Sequence, residues 1–174
     1  KQKITDYEVS LGKSSGVSTK VRLSEVETLQ YHLDTSFDVN VYIGKKKGHA
    51  SSGDLGKESL IRAIESACLI ARYTQEDPFN GLAPKERLAW QTPDLDLYHF
   101  WNLDAKKSID IAKECEEVAL QQPEIDNSDG AEISSFEGES IYTNSNGLVA
   151  RSKNTRHSLY CSLIAKRERE MQTA

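Results

Sequence analysis

Cysteine is scarce: the 174 residues hold Cys68, Cys115 and Cys161, and no CxxC pair. Three widely spaced thiols exclude a disulfide framework and a zinc ribbon. They read instead as buried, reduced side chains of a protein kept in a reducing cytoplasm. Also missing is any apolar run near the ~20 residues that a bilayer-crossing helix needs, so no membrane association is predicted. No signal peptide is visible, and the chain opens at Lys1 without a methionine, as a trimmed protein or a large piece of a longer one would.

Several sites of chemistry are absent too. A phosphate-binding loop needs glycines whose amides approach the phosphate and a lysine directly after the last glycine. In GKKKGHASSGDL, residues 44–55, the lysines come before Gly48 and His49 follows it; no GxGxxG occurs elsewhere. That stretch reads as a strand end, a lysine-rich turn, a short serine strand and a helix cap. Lys45, Lys46 and Lys47 are the candidate contact for a peptide or a partner. His32, His49, His99 and His157 are widely spaced and none precedes a glutamate, so no HExxH pair can hold a metal on one helix face. GKSSG at 12–16 spells GxSxG but lies between two strand patterns and not before a helix, so it is no nucleophile elbow, and His157 and Ser158, adjacent on a strand, point to opposite faces. Asp94/Asp96 and Glu116/Glu117 carry no specific signal.

What remains is an ordinary globular balance, 37% apolar and 28% charged, with a net charge of −5. Residues 151–170 hold six basic residues against two acidic ones, among them Arg151, Arg156, Arg167 and Arg169. A basic segment on an acidic body can bind nucleic acid, but the overall charge argues against that partner.

Periodicity gives the fold class. Tyr7/Val9/Leu11, Val17/Thr19/Val21/Leu23, Leu29/Tyr31/Leu33 and Phe37/Val39/Val41/Ile43 alternate with polar neighbours, as half-buried strands do. GKSSG (12–16), Ser24-Glu25 and Asp34-Thr35-Ser36 read as the turns between them. A helix is predicted over 55–73, with Leu60, Ile64, Ala67 and Ala71 on its apolar face and Asp54 as its cap. A second is predicted over 104–121, with Ile109, Ala112, Cys115 and Ala119 on one stripe and Asp104 as its cap. Between them, 75–102 carries both tryptophans and reads as ordered loop wrapped on the core. Strands return from Gly130 to Arg169 around the NSNG turn at 144–147. The expected fold is α+β: an antiparallel sheet, N-terminal meander plus C-terminal hairpins, with two main helices packed on it.

Five segments, in order, go further: GVSTKVRLSEVETLQYHLDTSFDVNVYIGKKKGHASSGDL, LIARYTQEDPFNGLA, PDLDLYHFW, NSDGAEISSFEGESIYTNSNGL and TRHSLYCSLIA. They resemble the N-terminal region of the TldD/PmbA family, and PDLDLYH and RHSL resemble its PmbA (TldE) branch. The resemblance implies a bacterial cytoplasmic protein in which residues 1–170 form an N-terminal α+β domain, followed by a β-rich C-terminal domain absent from this chain. It implies a heterodimer with a TldD-type subunit, or a homodimer, acting as a zinc peptidase that degrades or trims unfolded peptides. In that family the metal ligands, a HExxxH helix and a later cysteine, belong to the TldD branch. No HE pair occurs here. Zinc is therefore expected in the TldD-type partner and not in this segment, and no catalytic residue is carried over. The alternative is a non-enzymatic module, a DNA gyrase modulator or nucleic-acid-linked regulator.

Overall fold

A computed structural model describes residues 3–167 and 170–173 of the chain. The elements follow as β1 Asp6–Arg22, β2 Glu25–Ile43, β3 Lys46–Ser52, α1 Lys57–Tyr73, a 3-10 turn Lys85–Arg87, α2 Ala105–Leu120, β4 Ile125–Asn144, β5 Val149–Arg167 and β6 Glu170–Thr173. The strands form one antiparallel six-stranded sheet in the order β3-β2-β1-β4-β5-β6. That is the predicted α+β class, with a meander at one side. Two compact units divide the chain. Unit 1 holds residues up to Ser14, Asp34–Leu97 and Gly138–Lys153; unit 2 holds Ser15–Leu33, Tyr98–Glu137 and residues from Asn154 on.

Two of the predicted turns are not turns. GKSSG lies inside β1 and Asp34-Thr35-Ser36 inside β2, so four short strands are really two long ones. The glycines are there for closeness instead. A Cβ on Gly12 would lie 2.6 Å from Ser36 Oγ, and one on Gly16 would collide with the Phe136 ring. The β1–β2 turn is Leu23-Ser24, both at positive φ (50° and 64°), as the mirror-image hairpin turns require.

In unit 1, Phe37, Val39, Val41 and Ile43 of β2 pack against Ala63, Ala67 and Ala71 of α1. The buried stripe is thus rotated from the predicted one: Ile64 is 42% exposed. Alanines win because the helix lies almost on the backbone of β3. A Cβ on Gly48 would run into the Ala67 carbonyl and reach 2.5 Å from the Ala71 amide. Asp54 does not cap α1, whose N-cap is Gly56; its carboxylate accepts from the Gly56 amide (2.8 Å) and the Ser59 hydroxyl (2.6 Å). The NSNG turn is where it was predicted, with Gly147 at φ 91°.

In unit 2, Val17, Val21, Ala131 and Ile133 of the sheet pack with Leu103 and Ala112. The Asp104 cap is present, its Oδ1 accepting from the Lys107 amide at 2.8 Å. Along α2 the buried positions are Ser108, Ala112 and Glu116, two of them polar. Ser108 Oγ lies 2.7 Å from Thr19 Oγ1. Glu116 accepts from the amides of Leu23 and Ser24, both at 2.9 Å, and so fastens the β1–β2 turn. Burial by itself would raise its pKa; bonds from Ser128 and the two amides, and the nearby Arg22, outweigh it and hold the carboxyl below its ordinary value.

The loop over 75–102 is not wrapped away from water. Phe79 is 93% exposed, Leu95 63% and Phe100 64%, and Trp90, Leu97 and Trp101 are exposed too. Regular structure nearby is limited to one 3-10 turn. Backbone pairing along the segment is sparse, and most of its large apolar side chains stay in contact with water.

Candidate functional site

Unit 2 contains a cleft of about 260 Å³, lined by β1, β2, β4, β5 and residues 100–103. Hairpin register assembles its polar part. Ser135 Oγ lies 2.9 Å from His157 Nδ1, and His157 Nε2 lies 3.0 Å from the His99 carbonyl oxygen. A carbonyl only accepts, so Nε2 carries a proton and donates it to His99. The His99 amide donates to Thr155 Oγ1 at 2.9 Å. Both backbone groups of His99 therefore rest on side chains of β5, and Trp101 stands edge-on to His157, ring centres 5.4 Å apart.

Glu137, two residues along β4 from Ser135, also lines the cleft. The Ser15 hydroxyl donates to one of its oxygens (3.2 Å) and the Tyr98 hydroxyl to the other (3.0 Å). Tyr31 and Phe100 border the same space with most of their surface in solvent, 71% and 64%. His32 also borders the cleft, its Nε2 2.9 Å from Ser18 Oγ and its ring 5.2 Å from that of Phe136.

Nucleophilic catalysis would need an acid behind the histidine and an accessible hydroxyl. His157 has a backbone carbonyl behind it, and Ser135 is buried. The pair orders the 98–101 segment. Sequence reasoning weighed only His157 with its neighbour Ser158, which instead bonds Ser134 at 2.7 Å. The signal that finds these contacts is the hairpin axis. Ser134–Ser158, Ser135–His157 and Ser140–Ser152 each lie symmetrically about Asn146.

Residues 7–71 match PmbA/TldA metallopeptidase domain 1, and residues 98–174 match the PmbA/TldA metallopeptidase central domain. The chain belongs to this family. The PmbA homologue of Haemophilus influenzae, a metalloprotease, is 40% identical over 90% of this chain and 35% of its own length. Metalloprotease PmbA of Escherichia coli O157:H7 is 37% identical over 95% of this chain and 37% of its own length. The chain thus spans about a third of these relatives, all on the PmbA side of the family. A Bacteroides thetaiotaomicron crystal structure described as a modulator of DNA gyrase superposes with a TM-score of 0.86 at 24% identity, over 99% of this chain and 40% of its own. TldE from Thermococcus kodakarensis gives 0.72 at 17% identity, over 96% and 38%. At those identities the likeness is one of fold.

Names in this family imply a metal, and the residues here do not fit one. Among the described residues no three His, Cys, Asp or Glu side chains converge. Burial pushes the Cys161 thiol up, away from the thiolate that a metal would need. Nor is any helix among the described residues long and apolar enough to cross a membrane.

The three lysines part company. Lys45 sits in the β2–β3 turn behind Gly44 (φ 62°), and its Nζ donates to the Asn80 carbonyl at 2.8 Å. Its own carbonyl accepts from the Asp77 amide (3.1 Å) and Asn80 Nδ2 (3.2 Å), so Lys45 ties the following loop to the hairpin. A unit 1 cleft of about 460 Å³ beside it is lined by Asp6, Lys45, Asn80 and Lys85, among others. Lys46 and Lys47 are not in the turn; they belong to β3, opposite Ile43 and Tyr42. Lys47 Nζ lies 5.7 Å from the centre of the Tyr42 ring. In the basic segment, Arg151 and Arg156 are exposed and Lys153 pairs with Glu139 at 3.1 Å. Arg169 and the side chain of Arg167 lie outside the described residues.

Proposed function

We propose that this region is the peptide-holding, non-catalytic part of a PmbA (TldE)-type subunit. It pairs with a TldD-type partner that carries zinc, in a peptidase that degrades or trims unfolded peptides in the cytoplasm. The residues form an N-terminal portion of that subunit, ahead of a β-rich C-terminal domain. One observation carries the reading. β3 pairs with β2 only over Phe37–Ile43, so from Glu25 to Leu33, in unit 2, no strand among the described residues covers the outer edge of β2. Leu29, Tyr31 and Leu33 on that stretch are 39%, 71% and 70% exposed.

An open edge offers unpaired N–H and C=O groups that take up an extended chain without demanding a sequence. Most natural edges are blunted against that. This one keeps apolar side chains in water, the surface expected of a site that another chain covers. The lysine hairpin, Lys45 to Lys47, supplies a second contact, for the partner or for acidic stretches of substrate.

The test mixes the full-length protein with a TldD-type partner and zinc and follows cleavage of an unfolded peptide. Cleavage that needs both subunits, stops with chelator and falls on Leu33→Lys supports the reading. Undiminished cleavage by the partner alone sinks it. A second reading, a non-enzymatic module acting on DNA gyrase or nucleic acid, rests on the description of the Bacteroides relative and on the exposed Arg151 and Arg156. It requires DNA or RNA binding with a steep salt dependence that weakens when both arginines are neutralised.

A further inference from the structure

We propose that the unit 2 cleft is a binding site for a single cationic side chain, lysine or arginine, of an extended peptide. The inference rests on the peptide-holding reading and gives it a specificity.

Size comes first. At about 260 Å³ the cleft falls just under the ~300–1,000 Å³ of pockets that enclose drug-sized ligands, so it suits one side chain better than a cofactor. Charge comes next. Among the described residues, Glu137 is the only carboxylate of the lining, and no lysine or arginine belongs to it. Its two oxygens accept one hydroxyl each, from Ser15 and Tyr98. A carboxylate has about four acceptor positions, so capacity remains for a charged donor. His157 adds no competing donor, since its Nε2 proton is directed at the His99 carbonyl.

The walls agree with the charge. Tyr31, Phe100 and Trp101 border the space and are 71%, 64% and 39% exposed. Aromatic faces carry the negative end of the ring quadrupole, and grouped around a carboxylate they favour an ammonium or guanidinium group. Bare aromatic surface of this kind is otherwise costly to leave in water.

Position links the cleft to the sheet edge. Tyr31 belongs to β2, on the stretch with the open outer edge. Directly opposed residues of paired strands share a face, so a chain added along that edge sets one side chain beside Tyr31. A long, flexible lysine or arginine there reaches toward Glu137 while its methylenes lie against the rings.

Two measurements on the same protein test this. Fluorescence anisotropy compares labelled unfolded peptides that differ only in a central lysine, norleucine or glutamate. Tryptophan fluorescence follows titration with Nα-acetyl-lysine amide and with its norleucine analogue. The lysine peptide is expected to bind about tenfold more tightly than the norleucine one, and the glutamate peptide more weakly than either. That preference should vanish in Glu137→Gln and shrink in Tyr31→Ser, with norleucine binding unchanged in Glu137→Gln. Tyr31 is mostly in solvent, so its variant tests the site without disturbing the core. Equal binding of lysine and norleucine peptides by the wild type overturns the cationic site and leaves the peptide-holding reading standing. Binding of acetyl-lysine amide that is lost in Glu137→Gln, with no peptide bound at all, supports the site and overturns peptide holding. If neither probe binds, both fall.

Discussion

Glu116 and Ser24 stand 92 residues apart in sequence and 2.9 Å apart in the fold, the buried carboxylate accepting the amide of a turn residue. The neighbouring Leu23 amide uses the other oxygen, so one side chain of α2 holds both residues that reverse the chain between β1 and β2. A hydrogen bond to a charged group contributes about 1.5–3 kcal/mol. Glu116→Gln replaces one acceptor with a donor that faces an amide N–H. We expect it to lower unfolding stability by about 2 kcal/mol, with an unchanged denaturant m-value in urea melts.

The same carboxyl should give stability a pH dependence. Its folded-state pKa is held below the unfolded value of about 4.3, so the folded protein resists its protonation. The contribution is complete above that value and disappears as pH falls through the folded one. Thermal melts from pH 6 down to about 3 should drop more steeply for the wild type than for Glu116→Gln, the two curves converging in acid. Parallel curves would remove Glu116 from the explanation.

Gly48 and Gly44 bracket the lysines and do different work. Gly48→Ala puts a methyl into the Ala67 carbonyl and forces α1 off the sheet, an overpacking cost of about 3 kcal/mol. Gly44 has open space around its missing Cβ and a φ of 62°. Gly44→Ala should therefore cost only the left-handed backbone penalty, about 1 kcal/mol, and Gly44→Asn less. Chemical denaturation of the three variants orders them.

Loss of the Lys45 amine should loosen a loop, not the fold. Lys45→Met removes the 2.8 Å bond to the Asn80 carbonyl. Amide exchange across 77–82 should quicken, while global stability changes by less than about 1 kcal/mol because the group is exposed. Protection that stays the same would show that the backbone bond from Asp77 suffices alone.

His157→Ala should release the segment carrying Trp101. The imidazole's bond to the His99 carbonyl and its edge contact with the indole are lost together. A red-shifted tryptophan emission is expected, with a stability loss of about 1 kcal/mol. His157→Gln, able to donate to the same carbonyl, should recover part of the shift.

Alternation along β1 and β2, the helix over 105–120 with its Asp104 cap, and the NSNG turn were all legible from local chemistry. Hydrophobic period and capping oxygens are properties of neighbours in sequence. Gly12 and Gly16 misled because a glycine beside serines signals a turn as readily as a close approach. Only Ser36 and Phe136, far along the chain, show which it is. Glu116 stood on the charged side of α2 by composition, and nothing local says that a carboxylate will meet two free amides. Ser135 and His157 needed the hairpin axis at Asn146, which NSNG suggests but does not fix.

The sequence by itself determined that this chain folds as antiparallel sheet plus two helices and which family's wording it shares, because periodicity and segment order survive without coordinates. Tertiary structure alone decided that alanines face the sheet, that Glu116 is internal, that Lys45 braces a loop, and that Glu137 shares a cleft with Tyr31, Phe100 and Trp101. Each of those depends on contacts between residues far apart in sequence, and such contacts are set by the closest approach of two backbones and not by the preference of either one.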